Sequence, residues 1–245
     1  MLNSKIALVT GANRGIGLET AKQLSDHGVS VILSGRDMAK LESIKADWQG
    51  KTPVAGLIQL DITREEDIQA TAKHIEASFG RLDILVNNAG VIVEGEWVQN
   101  NAQTISQSEL ADTFNINLFS QIALTQALLP LIKKSQAGRI VNVSSILGSV
   151  SVNADLSSGW EAVKPFAYNA SKAALNMFTI ALSQSLLDTP VKVNSAHPGW
   201  VKTDLGTDAA PMHVEDGAKT LVELALLDEN GATGAFYHLG ETLPW

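Results

Sequence analysis

Tyr168 and Lys172, two residues able to move a proton, lie four positions apart in the segment YNASK. Within a helix this spacing places both side chains on one face. A phenol, with an ordinary pKa of about 10, is a poor acid or base at neutral pH, but a nearby positive charge lowers that pKa. Such a tyrosine can donate a proton to a carbonyl oxygen that is receiving a hydride, or accept one from an alcohol. The pair alone also fits an exposed lysine beside a packed tyrosine.

A serine stands where it could act on the same oxygen. Ser145 follows the apolar segment Arg139–Val143, which has the composition of a buried strand. If the strand leads toward the helix that carries Tyr168, the serine hydroxyl can hydrogen-bond the reacting oxygen. The sequence must then supply a fold that brings the end of this strand to that helix.

A glycine-rich turn opens the chain. Gly11, Gly15 and Gly17 follow the apolar run Ile6–Val9 and precede a segment with helical apolar spacing. Glycine permits a tight turn and a close approach of the backbone to a ligand, and a helix N-terminus attracts phosphate. The turn therefore indicates a nucleotide site, although a flexible loop before a surface helix is the alternative.

The same strand-to-helix order is repeated along the chain. Strands are predicted at 6–9, 29–34, 54–60, 82–86, 139–143, 191–196 and 235–239. Helices are predicted after the glycine turn and at 38–48, 65–79, 108–134, 167–187 and 215–227. This order predicts an α/β fold: a single-domain, doubly wound Rossmann-type sheet of about seven mostly parallel strands, with helices on both faces, over residues 1–245. Ligands of such sheets bind beyond the carboxyl ends of the strands, where the polar and glycine clusters fall.

The end of the second strand predicts which dinucleotide binds. Gly35 stands where an acid would hold the ribose hydroxyl, and Arg36 follows it directly. Arginine is a planar, charged donor suited to phosphate, and Arg14 in the glycine turn could approach the same group. These residues favour NADP over NAD. The alternative is that Arg36 is a solvated residue paired with Asp37.

Together these motifs resemble the classical short-chain dehydrogenase/reductase family, in particular its NADP-preferring, carbonyl reductase-like members. The matching residues are Thr10-Gly11-x-x-x-Gly15-x-Gly17, Asp61, Asn87-Asn88-Ala89-Gly90, Asn117, Ser145, Tyr168-x-x-x-Lys172 and Pro198-Gly199 with Thr203. The resemblance implies an NADP(H)-dependent oxidoreductase that interconverts a carbonyl and an alcohol. Two alternatives remain open, a non-catalytic NADP-binding regulatory protein and a sugar-nucleotide epimerase-type enzyme.

The resemblance also implies roles for particular residues. Asn117, Ser145, Tyr168 and Lys172 would form the catalytic tetrad, in which Asn117 holds a water for the proton relay through Lys172. The cofactor would be bound by Gly11, Asn13, Arg14, Gly15, Ile16, Gly17, Arg36, Asp61, Ile62, Asn88, Ala89, Gly90, Tyr168, Lys172, Pro198, Gly199, Val201 and Thr203. Structural alternatives are a locally satisfied asparagine at 117 and an ordinary strand-end acid at 61. Residues 88–90 and 198–203 could likewise be only a turn and a loop.

Two segments depart from the family pattern. Ser145 and Tyr168 lie farther apart than is usual in the family, and the excess falls in residues 152–165. We expect this segment to pack Leu156, Trp160 and Val163 inward as one wall of the substrate pocket; covering a surface that relatives use to dimerise is the alternative. The loop 92–107 is also long. Trp97, Trp160 and Trp200 fall in three loops expected on the substrate side.

Composition limits the other functions. The net charge of −8 argues against a nucleic-acid or anionic membrane surface, and the absence of cysteine excludes disulfides and thiolate metal sites. No metal site is predicted, since the five histidines show no ligand spacing and His197 is interpreted as a packing or loop-capping residue. No apolar run is expected to span a membrane, and the first strand begins too early for a signal peptide. We expect a cytoplasmic protein with a small carbonyl or alcohol substrate, either monomeric or a homodimer or tetramer.

Overall fold

The computed structural model describes residues 4–95, 100–160 and 162–245. The strands are β1 Ile6–Val9, β2 Ser30–Gly35, β3 Gly56–Gln59, β4 Ile84–Asn87, β5 Arg139–Val143, β6 Lys192–Ala196, β7 Phe236–His238 and β8 Glu241–Thr242. The helices are α1 Gly15–Asp26, α2 Met38–Ala46, α3 Glu65–Phe79, α4 Gln107–Phe114, α5 Ser120–Ile132, α6 Val150–Ala154, α7 Phe166–Ser185 and α8 Val214–Ala225.

The strands form one sheet in the order β3-β2-β1-β4-β5-β6-β7-β8. All neighbours pair in parallel except β7 and β8. The order reverses between β1 and β4, so the loops after these two strands diverge and leave a crevice at the carboxyl edge. The predicted fold class is confirmed, with an eighth strand beyond the seven expected.

Both faces of the sheet are buried, as the near-continuous apolar strands require. In β1, Ala7 and Val9 join a core with α1 and α8, whereas Ile6 and Leu8 join a second core with α3 and α5. The two layers hold the strand ends rigidly. The residues that follow β1, β4 and β5 therefore keep fixed positions along one edge.

The predicted helix 108–134 is one continuous rod with an irregular middle. A capping box between Ser106 and Glu109 begins α4, and a π-helical turn over Asn115–Phe119 joins it to α5. The whole stretch, Gln107–Ile132, is long and apolar enough to cross a membrane by length and composition alone, with half of its most apolar window buried. The expectation that no apolar segment is long enough to span a membrane is therefore wrong as regards length and composition. Burial against the sheet explains why this helix is so apolar.

Three short elements lie outside the predicted set of strands and helices. β8 is antiparallel to β7 across a tight turn in which Leu239 and Gly240 have φ values of 46° and 81°, as a two-residue hairpin turn requires. Between Ser145 and Tyr168, a 3₁₀ turn over Ile146–Gly148 and the five-residue helix α6 replace part of the predicted connection. The 3₁₀ turn and α6 lie beside Tyr168.

Candidate active site

The glycine turn packs directly against the loop after β4. A methyl group added at Gly17 would lie 2.4 Å from Nδ2 of Asn88 and 2.6 Å from the carbonyl oxygen of Gly11. Gly11 has φ of +63°, a conformation that favours glycine. The first helix can therefore approach this loop only if position 17 carries no side chain.

Thr10 joins the two loops by hydrogen bonds. Its hydroxyl oxygen accepts from the backbone N–H of Asn88 at 2.9 Å and of Ala89 at 3.0 Å. The amide of Asn88 donates to the carbonyl of Thr10 at 2.8 Å. Residues 88–90 thus form more than an isolated turn, since they are attached to the end of β1.

An open cleft of about 880 Å³ lies beyond these strand ends. Its walls include the first turn of α1, where Arg14 at the N-cap supplies no side-chain acceptor. The first-turn N–H groups of a helix need partners from outside the helix, so this end is suited to an anion. Across the cleft, Thr203 approaches the turn, 3.3 Å from the position of a methyl group at Gly15.

Arg36 lines the cleft directly after the end of β2 and is exposed. Asp37 does not pair with it, because the Asp37 carboxylate caps α2 by accepting from the Lys40 N–H at 3.0 Å. Among the described residues, Arg36 makes no ion pair within 4 Å. The alternative that Asp37 occupies the guanidinium is therefore wrong.

Asp61 faces Arg36 and is held in a local turn. Its carboxylate accepts from the N–H and the hydroxyl of Thr63 at 3.0 and 2.7 Å. Burial would raise the pKa of Asp61, but these hydrogen bonds and the charges of Arg36 and Arg64 outweigh it and leave the pKa below its ordinary value. The side chain is therefore an ionised acceptor at neutral pH.

Arg14 has a partner that the sequence did not predict. Its guanidinium pairs with Asp204, which lies in the loop after β6 on the opposite wall of the cleft. Both side chains are exposed, so the pair is weak and readily exchanged. Any phosphate bound by Arg14 would have to compete with Asp204.

Asn117 lies fully buried in the π-helical turn. Its side-chain oxygen accepts from the N–H of Val91 at 2.9 Å, and its amide donates to the Val91 carbonyl at 2.9 Å and to Ser171 Oγ at 3.1 Å. The alternative of a locally satisfied asparagine is wrong, because its partners come from the loop after β4 and from α7. Asn117 thus joins two parts of the cleft.

Lys172 is buried on α7 and lies 5.7 Å from the ring centre of Tyr168. Its ammonium donates to the carbonyl of Val143 at 2.7 Å, and burial lowers its pKa to about 8. A methyl group at Gly90 would lie 3.5 Å from Nζ of Lys172 and 3.4 Å from the side-chain oxygen of Asn117. These two polar groups therefore meet at the same glycine.

The phenol of Tyr168 is buried beside Ser145. Burial raises the pKa of Tyr168 to about 12, and the hydrogen bond with Ser145 opposes the rise only in part. The expectation of a lowered pKa is wrong, because desolvation outweighs the interactions that favour the phenolate. The phenol is therefore a protonated donor at neutral pH.

His197 fixes the chain after Ser145. Its Nδ1 accepts from the Ile146 N–H at 3.3 Å, and burial, with a contribution from His238, lowers its pKa to about 3. The ring is therefore neutral, in agreement with the predicted loop-capping role. No group of three or more potential metal ligands occurs in the described part of the chain.

Apolar side chains surround Tyr168. Ile146 and Leu147 form a buried cluster with it, and the partly buried side chains of Ile92, Val152, Trp160, Val163 and Leu243 pack against this cluster. Two of the three side chains expected to point inward from 152–165 do so. Leu156 does not, since it is 79% exposed.

The two other tryptophans expected on the substrate side are Trp200 and Trp97. Trp200 donates from Nε1 to the Gly206 carbonyl at 2.7 Å, and Trp97 lies outside the described residues.

The structure brings most of the predicted cofactor residues to one cleft. The lining includes Gly11, Asn13, Arg14, Gly15, Ile16, Gly17, Arg36, Asp61, Ile62, Asn88, Ala89, Gly90, Tyr168, Lys172, Pro198 and Thr203. Gly199 and Val201 do not line it: Gly199 faces Met212, and Val201 packs against Gly217.

Several neighbours of the site carried no recognised motif. A methyl group at Gly148 would lie 2.7 Å from the Cβ of Lys172, so this glycine lets the turn after Ser145 pack on α7. Ser171 bonds Asn117, and Glu94 bonds the first turn of α7. The glycine soon after Ser145 could have indicated this close packing from the sequence. The roles of Ser171 and Glu94 could not be predicted in this way, because their hydrogen-bond partners are distant in sequence.

The sheet, its crevice and the glycine turn define a doubly wound dinucleotide-binding protein with a tyrosine–lysine pair in the cleft. The profile of the short chain dehydrogenase family matches residues 5–213. The chain therefore belongs to the short chain dehydrogenase family and is an oxidoreductase.

Named relatives and solved structures agree with this membership. The chain is similar to a (+)-neomenthol dehydrogenase of Capsicum annuum, at 30% identity over 98% of this chain and 97% of the relative. It is also similar to a salutaridine reductase of Papaver bracteatum, at 32% identity over 97% and 95%. The crystal structure of an NADPH-bound carbonyl reductase from chicken fatty liver superposes with a TM-score of 0.84, at 28% identity and 100% coverage of both chains.

Proposed function

We propose that the protein is an NADP(H)-dependent oxidoreductase that interconverts a small aldehyde or ketone and the corresponding alcohol. The observation that carries this proposal is the buried phenol of Tyr168, which is hydrogen-bonded to Ser145 and lies beside Lys172 in a dinucleotide-sized cleft. The dehydrogenases and reductases among its relatives support the same reaction class.

The cleft fits NADP(H) on three independent features. Gly17 leaves the space that a side chain would fill, the first turn of α1 lacks a side-chain cap, and Arg36 makes no ion pair with a described residue. The turn would hold the pyrophosphate, Arg36 the 2′-phosphate and Asp61 the adenine amino group. The NADPH-bound relative supports this choice of cofactor.

The proposed chemistry divides between cofactor and protein. The bound cofactor supplies or accepts the hydride. Tyr168 donates the proton to the substrate oxygen during reduction, Ser145 orients that oxygen, and Lys172 stabilises the phenolate that remains. Asn117 holds the backbone at Val91 and would place a water for reprotonation. With NADPH as the cofactor, we propose reduction as the favoured direction, in which the protonated phenol of Tyr168 is the proton donor.

A turnover screen tests the proposal against its alternatives. We expect NADPH to be consumed in the presence of aldehydes, ketones, quinones or steroid ketones, with one alcohol formed per NADPH. A regulatory protein would bind NADPH without turnover, and an epimerase would leave its cofactor unchanged in net terms. No contact among the described residues favours either alternative.

The pH dependence of reduction should follow Lys172. This residue is protonated below its pKa of about 8 and loses its charge above it, whereas Tyr168 keeps its proton up to about pH 12. We therefore expect kcat/KM for reduction to fall as the pH rises through about 8. Lys172→Arg should move this decline to higher pH, because arginine stays charged. A decline that stays in place in the arginine variant would contradict the assignment to Lys172.

Trp160 should determine which carbonyl compounds are accepted. The indole packs against the apolar cluster around Tyr168, so Trp160→Ala should widen that side of the pocket. We expect kcat/KM for bulky ketones to rise relative to small ones, by about 10-fold or more, with NADPH affinity unchanged. Leu156→Ala, an exposed change in the same segment, should leave the ranking as it is. An unchanged ranking together with a changed solution mass would instead favour the dimer cover.

The setting of the enzyme is part of the proposal. We infer a cytoplasmic location and a small-molecule partner, on the basis of the acidic net charge of −8 and the absence of cysteine. Solution mass will decide between a monomer and a homodimer or tetramer.

A further inference from the structure

The helix that carries Tyr168 lacks a cap of its own. Its N-cap is Pro165, which supplies no side-chain acceptor. The carboxylate of Glu94 acts instead, from a loop more than 70 residues earlier in the chain. Its two oxygens accept from the N–H of Ala167 at 2.6 Å and from the N–H of Tyr168 itself at 3.2 Å. The backbone of the proposed proton donor is thus held by a remote acid.

Glu94 is buried, with 3% of its surface exposed. Among the described residues it has no cation within 4 Å. Burying a carboxylate is costly unless hydrogen bonds and local dipoles stabilise the charge. Here the stabilisation comes from two charge-assisted bonds and the N-terminal end of a 20-residue helix. The acid and the helix end therefore depend on each other.

The loop that carries Glu94 also holds the rest of the site. Val91 exchanges two hydrogen bonds with Asn117, and Ile92 packs on the apolar cluster around Tyr168. Three contacts within four residues thus connect the loop after β4 to both helices of the proposed tetrad. A shift of this loop would move Asn117 and Tyr168 relative to each other.

We propose that Glu94 is a positioning residue for proton transfer, acting through the backbone N–H of Tyr168. Its carboxylate fixes the first turn of α7 and thereby the place of the phenol relative to Ser145 and the substrate oxygen. This inference rests on the proposed function, in which Tyr168 is the proton donor.

Glu94→Gln tests the inference with a small change. An amide offers one acceptor oxygen and sets an NH₂ group against the second backbone N–H, so the first turn should loosen. We expect kcat for carbonyl reduction to fall by about 10- to 100-fold, with the NADPH dissociation constant unchanged. The solvent deuterium isotope effect on kcat should increase, because proton transfer becomes slower. A merely structural loss of active protein would lower kcat and leave the isotope effect as it is.

Glu109→Gln is the matched control. Glu109 closes the capping box of α4 through the N–H and hydroxyl of Ser106, so the variant makes the same chemical change at a neighbouring helix end without touching Tyr168. We expect native kcat and a native isotope effect. Equal losses in Glu94→Gln and Glu109→Gln, or native kinetics in Glu94→Gln, would overturn the inference.

A second variant restores the missing acceptor from within the helix. A serine at an N-cap accepts from the second or third helical N–H, which here belong to Ala167 and Tyr168. Adding Pro165→Ser to Glu94→Gln should recover kcat and the thermal stability lost when the first turn loosens. Recovery of stability without kcat would show that Glu94 does not act by positioning. If Tyr168→Phe retained activity, the proposed function itself would fail, whatever the Glu94 variants did.

Discussion

Replacing Tyr168 by phenylalanine is expected to reduce turnover with every carbonyl substrate by at least about 100- to 10,000-fold, the range that a general acid contributes. The change removes only the hydroxyl, which is the hydrogen-bond partner of Ser145 and is protonated at neutral pH because burial raises its pKa to about 12. The ring remains to fill the cluster with Ile146 and Leu147. NADPH affinity, measured by titration, should therefore change little.

The chain supplies its own control for this variant, because it contains only one other tyrosine. Tyr237 lies on β7 and packs, partly buried, against the core that includes α1 and α8, whereas the cluster around Tyr168 does not include it. Tyr237→Phe should keep native turnover. Substantial residual activity in Tyr168→Phe would remove Tyr168 from the mechanism.

Replacing Arg36 by alanine should weaken NADPH binding by about 1.5–3 kcal/mol, or roughly 10- to 150-fold. The guanidinium lines the cleft and makes no ion pair with any described residue, since Asp37 is occupied with the cap of α2. Its loss would remove a charge-assisted contact with the 2′-phosphate. NADH, which lacks that phosphate, should bind the variant as well as it binds the native protein.

Arg64→Ala separates this contact from a general loss of positive charge. Arg64 also contributes to lowering the pKa of Asp61, but it pairs loosely with Glu66 and does not line the cleft. The NADPH dissociation constant of the Arg64→Ala variant should stay near the native value. If titration of the native protein showed equal affinity for NADH and NADPH, the assignment of Arg36 would be wrong.

Local sequence signals were sufficient for most of the fold. The helix Glu65–Phe79 and the strand Arg139–Val143 were predicted to the residue, because one has clear helical periodicity and the other is short and apolar between turn signals. The strand Glu241–Thr242 was missed since it is two exposed residues long. The π-helical turn was missed because its sequence has the apolar content of an ordinary helix.

The site could be predicted less completely. Motif positions identified the cleft residues, but burial decided the pKa of Tyr168, and only the folded chain gives the extent of that burial. Asp204 and Glu94 carried no signal, because each meets its partner across a long stretch of chain. Contacts of this kind depend on the packing of loops, which periodicity does not describe.

The π-helical turn rotates the two halves of one long helix, α4 and α5, relative to each other. Such a turn accommodates an extra residue within an α-helix, and one residue corresponds to about 100° of rotation. The segment before the turn packs on α7, whereas the segment after it packs on α3. A regular helix of the same sequence would rotate one of these faces out of contact. The inserted residue therefore lets a single helix serve two neighbours, and it places Asn117 at the junction, where the change of phase directs its side chain to Val91.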